Sequence, residues 1–152
     1  MRLAHLADVH LGYRQYYRQT AAGINQREAD VARAFGRAID GVISQRPDLV
    51  VVAGDLFHAV RPTNQAIVHC FHQFQRLREA LPSATIALIA GNHDTPRATE
   101  TGSILRLYQE LGVLVATEEA GAFPIPALDL ALTLVPHQAL VAHERLRIEP
   151  TL

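Results

Sequence analysis

Residues 49–58 read Leu-Val-Val-Val-Ala-Gly-Asp-Leu-Phe-His, and this stretch decides the fold. Leu49–Ala53 is a short β-branched run with no polar alternation, the pattern of a strand buried on both faces. Gly54 and Asp55 follow at once, so the strand ends in a tight turn that carries a carboxylate. A buried strand of this kind needs parallel neighbours and covering helices, and the flanking sequence supplies both.

Upstream, Val31, Phe35, Ala38, Ile39, Val42 and Ile43 recur at helical spacing until Pro47 ends the helix. Downstream, Pro62 and Thr63 open a second helix with Ile67, Cys70, Phe71, Phe74 and Leu81 along one stripe, closed by Pro82. Thr85–Ala90 is another buried strand, and residues 2–7 form a mostly apolar opening strand. A further helix is expected from about Gly102 to Leu111, stopped by Gly112 as a C′ residue. Val113–Val115 starts a short strand, and Leu128, Leu130, Leu132 and Leu134 alternate as one with a single core-facing side. The pattern predicts one α/β domain over residues 1–152, a βαβαβ chain with a largely parallel sheet.

Composition agrees. The chain has 152 residues, 49% of them hydrophobic and 19% charged, which excludes a disordered or collagen-like chain. No apolar run reaches the roughly 18 residues of a membrane span, and the first residues do not form a signal peptide. The single cysteine, Cys70, excludes an internal disulfide framework and suits a reducing cytosol. Net charge is −1 and every one of the 14 basic residues is arginine. Residues 1–47 carry seven arginines against four acids, and residues 99–152 three against seven. The arginine-rich front, with Arg14, Arg18, Arg27, Arg33 and Arg37 near Tyr13, Tyr16 and Tyr17, can be a solvated face or a phosphate-meeting one.

Ligand sites in wound α/β folds form outside the carboxyl ends of the strands. Asp8-Val-His10-Leu-Gly12 follows the first strand, Gly54-Asp55-Leu-Phe-His58 the second and Gly91-Asn92-His93-Asp94 the third. Carboxylate, imidazole and amide oxygen are ligands suited to Mn, Fe or Zn. A carboxylate in the middle loop can bridge two ions at about 3.5–4 Å, an arrangement that supports in-line attack on phosphorus. Singly, each cluster has an ordinary reading as helix caps, loop residues or an αL turn. Their joint placement, each just past an apolar strand, points to a metal site.

These three clusters resemble the first motifs of the calcineurin-like metallophosphoesterases. His10-Leu-Gly12-Tyr13, Ala53-Gly-Asp-Leu-Phe-His58 with Arg61-Pro-Thr63, and Gly91-Asn-His-Asp94 are similar to one branch, the nuclease subunit of the bacterial SbcCD complex and its counterparts in double-strand-break repair. The resemblance runs over about residues 1–147 and implies the N-terminal part of an αββα sandwich with its site at the strand ends. It implies that Asp8 and His10 ligate one Mn²⁺, that Asp55 bridges to a second and that Asn92 ligates the second. His93 would approach the scissile phosphate to stabilise charge or protonate the leaving oxygen, and His58 would orient the phosphate from the opposite flank. Tyr13, Tyr17, Arg14, Arg18 and Arg61 are the candidate DNA contacts. Duplex ends and single strands as substrates, a homodimer, an SbcC-type SMC-like ATPase partner and a cytoplasmic setting without membrane complete the expectation.

The sequence departs from that family in its later motifs. The family's later histidine and its Gly-His-x-His pair are not recognisable, so the domain is expected to be C-terminally incomplete, the second ion weakly held and the chain alone weak or inactive. His137 reads as a loop residue where the family often has an aromatic, His143 as part of a short helix, and His69 and His72 as surface residues. Cys70 reads as a buried structural thiol, and Asp94 as a supporting or helix-capping residue rather than a ligand. Two other functions share these residues: hydrolysis of a small phosphodiester or phosphomonoester, and a catalytically inactive DNA-binding or dimerisation module.

Overall fold

Apolar runs too short to be core helices and too hydrophobic for an exposed sheet make the centre of this molecule. The computed structural model describes residues 1–96 and 102–142. Its elements are β1 (Leu3–Leu6), α1 (Gln26–Gln45), β2 (Leu49–Ala53), α2 (Asn64–Ala80), β3 (Thr85–Ile89), a 3₁₀ helix (Ile104–Leu111) and β4 (Leu114–Ala116). A hairpin of β5 (Gly121–Ile125) and β6 (Leu130–Leu134) follows, joined by a 3₁₀ turn at Pro126–Leu128, and then α3 (His137–Ala142).

β1 to β4 form a parallel sheet in sequence order, with Leu6 beside Val52 and Val52 beside Leu88. β2 therefore lies between β1 and β3, and all three open into their loops on the same edge. α1, α2 and the 3₁₀ helix cover one face through Phe35, Ile39, Cys70, Phe74, Leu77 and Tyr108, each 3% exposed or less. On the other face Ala87 and Ala116 meet Leu134, with Val51, Ile89, Phe123 and Leu132 around them. This is the α/β architecture expected, with a second sheet of two strands, β5 and β6, among the described residues.

Local chemistry sets the helix ends. Asn25 caps α1 by accepting from the N–H groups of Arg27 and Glu28, and Thr63 caps α2 by accepting from Ala66. Arg78 closes the far end of α2, donating to the carbonyls of Ala84 (2.8 Å), Gly112 (3.0 Å) and Leu111 (3.1 Å). One guanidinium thus ties the ends of two helices to the loop before β3.

Several expectations change. The helix set at Gly102–Leu111 is 3₁₀ throughout and starts at Ile104 behind the Ser103 cap; Gly112 does end it, at φ 68°. β4 begins at Leu114, one residue after the expected start, and Leu128 lies in the 3₁₀ turn before β6. β5 was not expected, because Pro124 sits inside it and weakens a strand pattern. It pairs antiparallel with β6, Phe123 opposite Leu132. His137 is the first residue of α3 and not a loop residue. The expected helix around His143 lies outside the described residues. Among the described residues no helix is long and apolar enough to cross a membrane.

Candidate metal centre

The loops after β1 and β2 run side by side as a continuation of the sheet. Asp8 N–H donates to Gly54 O (3.2 Å), His10 N–H to Asp55 O (2.9 Å) and Leu11 N–H to Leu56 O (2.9 Å). His58 N–H returns the pairing to Leu11 O at 2.9 Å. In this frame Asp8, His10 and Asp55 adopt φ values of 53°, 52° and 50°, left-handed backbone that side chains other than glycine rarely accept. Three such residues in two adjacent turns mark a place where the fold holds strained backbone, and such places cluster at functional sites.

The strain has a visible result. One carboxylate oxygen from each of Asp8 and Asp55 and one imidazole nitrogen of His10 lie within 4.8 Å of one another. His10 Nε2 stands 3.8 Å from Asp55 Oδ2. Two carboxylates and an imidazole form a mixed oxygen and nitrogen donor set that fits a divalent transition ion.

The third loop joins through Asp55. His93 N–H donates to Asp55 Oδ1 at 2.9 Å, although the two residues are 38 apart in sequence. His93 Nδ1–H donates to the His58 carbonyl at 2.7 Å. A carbonyl only accepts, so Nδ1 carries the proton and Nε2 is the nitrogen left for chemistry. His58 and His93 stack with centroids 5.0 Å apart, and His10 meets both edge-on at 5.3 and 4.9 Å. Desolvation, then the neighbouring His93 and His10, holds the His58 imidazole below its usual pKa and favours the neutral ring. His58 Nδ1 lies 3.4 Å from His10 Nδ1, so one of the two donates to the other.

Asp94 fixes the loops without entering the donor set. It is 1% exposed and accepts from Phe57 N–H (2.9 Å) on one oxygen, and from Leu56 N–H (3.0 Å) and Gly91 N–H (3.1 Å) on the other. Burial nevertheless raises its pKa, so the three amides offset only part of the desolvation cost. Asp94→Ala leaves three amide donors without partners, two of them buried, and is expected to cost about 3 kcal/mol in urea unfolding. The same loosening should weaken binding of a divalent cation roughly 10–100-fold, as loss of an outer-shell partner does; calorimetric titration checks it.

The remaining expected site residues are distributed around this centre. Asn92 is exposed and lines a cleft of about 280 Å³ with Asp8, Asp55 and His137. Tyr13 is half-buried, its ring 4.7 Å from His58 and its hydroxyl donating to Gln15 Oε1 at 2.8 Å. Arg14 does not simply face solvent: its Nε pairs with Glu28 at 2.6 Å. Tyr17, Arg18 and Arg61 are exposed. His72 is exposed as expected, whereas His69 is half-buried and its Nε2–H donates to Ala32 O at 2.9 Å, linking α2 to α1. Cys70 is buried and faces the Tyr108 hydroxyl, and burial pushes both groups up, which keeps the thiol protonated.

Sequence reasoning missed Glu28. It is 3% exposed and takes Arg14 on one oxygen and the Thr63 hydroxyl (2.7 Å) on the other, joining the first loop to the starts of both long helices. The signal was the Asn25-x-x-Glu28 pattern of a helix start, in which the acid here bonds to Arg14 and Thr63 instead of the cap's own backbone.

The family model of the calcineurin-like phosphoesterases matches residues 1–146. The "DNA double-strand break repair protein Mre11" of Methanococcus maripaludis is 37% identical over 111 residues, 73% of this chain and 28% of that protein. The protein of the same name from Methanocaldococcus jannaschii is 34% identical over 110 residues, covering 72% of this chain and 28% of its own length. That of Sulfurisphaera tokodaii is 29% identical over 146 residues, 96% of this chain and 35% of the relative. The chain thus spans about a third or less of these relatives.

Proposed function

The chain belongs to the calcineurin-like phosphoesterase family, and on that premise we propose that it forms the metal-binding N-terminal part of a DNA double-strand-break repair nuclease that hydrolyses phosphodiesters at DNA ends. The observation that carries this reading is the convergence of Asp8, His10 and Asp55 beside the stacked His58–His93 pair. The names of the relatives point to repair of DNA rather than to a small phosphoester.

In this reading Asp8, His10 and Asp55 hold one divalent ion, Mn²⁺ being the best match, and Asp55 and Asn92 belong to a second. When bound, the ions supply charge neutralisation on phosphate oxygens and an activated water. His93 presents Nε2 to the phosphate, with Nδ1 committed to the His58 carbonyl, so the ring arrives in one tautomer and one orientation. His58 shields the opposite side and supports His10. Tyr13, Tyr17, Arg14, Arg18 and Arg61 lie on the loops that would meet the DNA, with Arg14 partly committed to Glu28. A homodimer, an SbcC-type ATPase partner and a cytoplasmic setting belong to the same proposal.

The test compares a 5′-labelled duplex end with p-nitrophenyl phosphodiester and monoester substrates, in Mn²⁺ and after chelation, using this chain and a longer protein that contains it. Chelator-sensitive cleavage that favours the duplex, stronger in the longer protein, is the expected result. Preference for the small esters would replace the nuclease with a small-substrate phosphoesterase. Salt-dependent DNA binding that ignores chelation, with no cleavage in either protein, would make it a docking module.

A further inference from the structure

We propose that His137 is a ligand to the ion on the Asn92 side of Asp55, a position that the three strand-end motifs leave short of donors. The inference rests on the metal-centre reading above and assigns a residue that none of those motifs contains. His137 was expected in a loop. Instead its N–H donates to the Ala90 carbonyl at 3.0 Å, which anchors α3 at the strand end leading into Gly91 and Asn92. The residue lies on the wall of the 280 Å³ cleft that also contains Asp8, Asp55 and Asn92. It also lines the adjoining cavity of about 520 Å³ beside Asn92 and His93.

The donor count gives this placement its meaning. Asp8, His10 and Asp55 already provide three donor atoms around one point. On the other side the strand-end motifs provide only Asp55 and Asn92, one donor residue fewer than at the first point, so an ion there is held more firmly if a further side chain joins them. Among the described residues His137 is the one imidazole lining that cleft. It is half-buried, so the ring is neither lost in the core nor fully in water. Hairpin β5–β6 carries it there: Leu134 packs against Ala87 and Ala116, and the chain then turns at Pro136 into α3.

The experiment is a calorimetric Mn²⁺ titration of the chain, with His137→Ala, His137→Gln, Asp55→Ala and the exposed His72→Ala titrated beside it. Two binding events are expected for the wild type and for His72→Ala. His137→Ala and His137→Gln should each keep the tighter event and weaken the other at least tenfold, with the metal-free melting temperature unchanged. Asp55→Ala should lose both. If the His137 variants titrate as wild type while Asp55→Ala loses both events, the inference is overturned and the metal centre stands. Should Asp55→Ala keep both events, the metal-centre reading fails and His137 with it. A single wild-type event that both His137 variants leave untouched also overturns the inference.

Discussion

Asp55→Asn is expected to abolish binding of divalent cations while leaving the metal-free protein at least as stable as the wild type. The amide keeps the shape of the side chain, and its oxygen can still accept the His93 N–H now held at 2.9 Å. What it loses is the charge that both proposed ions share. Asp55 is 8% exposed, and its carboxylate is one of the causes that raise the pKa of Asp94 nearby. Two buried carboxylates in neighbouring turns repel each other unless a cation stands between them. Removing one charge relieves the metal-free protein, the usual sign of a group kept for function at the expense of stability. Mn²⁺ affinity should fall on the order of a thousandfold, about 4 kcal/mol. A thermal-shift series checks both halves. At about 100 times its dissociation constant Mn²⁺ stabilises the wild type by about 2.7 kcal/mol, and the variant should show no rise. A variant that melts well below wild type without metal would mean that Asp55 is chiefly structural.

Gly91→Ala is expected to be the most destabilising single-methyl change at the centre. A Cβ there would lie 2.1 Å from Asp55 Oδ1 and 2.4 Å from the Asp55 backbone nitrogen. The first of these contacts could be relieved by rotating a side chain, but the second is with backbone. That nitrogen cannot retreat, because the Asp55 carbonyl holds His10, the next two amides are held by Asp94, and Gly54 N–H is bonded to Ile89 O at 3.0 Å. The third loop must therefore move away from the second, which breaks the His93–Asp55 bond and opens the donor set. A cost of about 3 kcal/mol is expected, at the upper end for overpacking, with a melting temperature lower by roughly 10 °C. Mn²⁺ binding should be lost with it. Gly41→Ala is the control: it lies on α1 with no atom within 4 Å of its added Cβ and should be neutral or stabilising. If Gly91→Ala melts like the wild type, the close approach of the two loops is not what fixes the site.

Much of this was legible in the residues. The runs Leu49–Ala53 and Thr85–Ile89 announced buried strands, and helix ends followed from Thr63 and the prolines. Capping, chain stiffness and the burial of short apolar runs act over a few residues, so sequence neighbours carry the information. Asp8, His10, Asp55, Asn92 and His93 could be picked out for the same reason, each standing just past a strand. Less legible were β5, disguised by Pro124, the service of Glu28 to Arg14 and Thr63, and the inward link from His69 to Ala32. The last two depend on what a distant segment presents, and β5 on its pairing with β6.

The sequence alone determined an α/β chain with three chemically loaded strand ends and the family to which those motifs belong. Tertiary structure decided how the loaded ends meet. Placing β2 between β1 and β3 puts Asp55 within reach of both neighbours, and parallel register brings His10 beside Asp55 and His93 beside His58. Those pairs are separated by 45 and 35 residues in the chain, and no local preference encodes a distance across such a gap. It is set by strand pairing and by the helices packed beneath the sheet. The same packing turned His137 from a residue after a strand into part of the cleft wall, because only the docking of Leu134 on β3 and β4 determines where the chain beyond it goes.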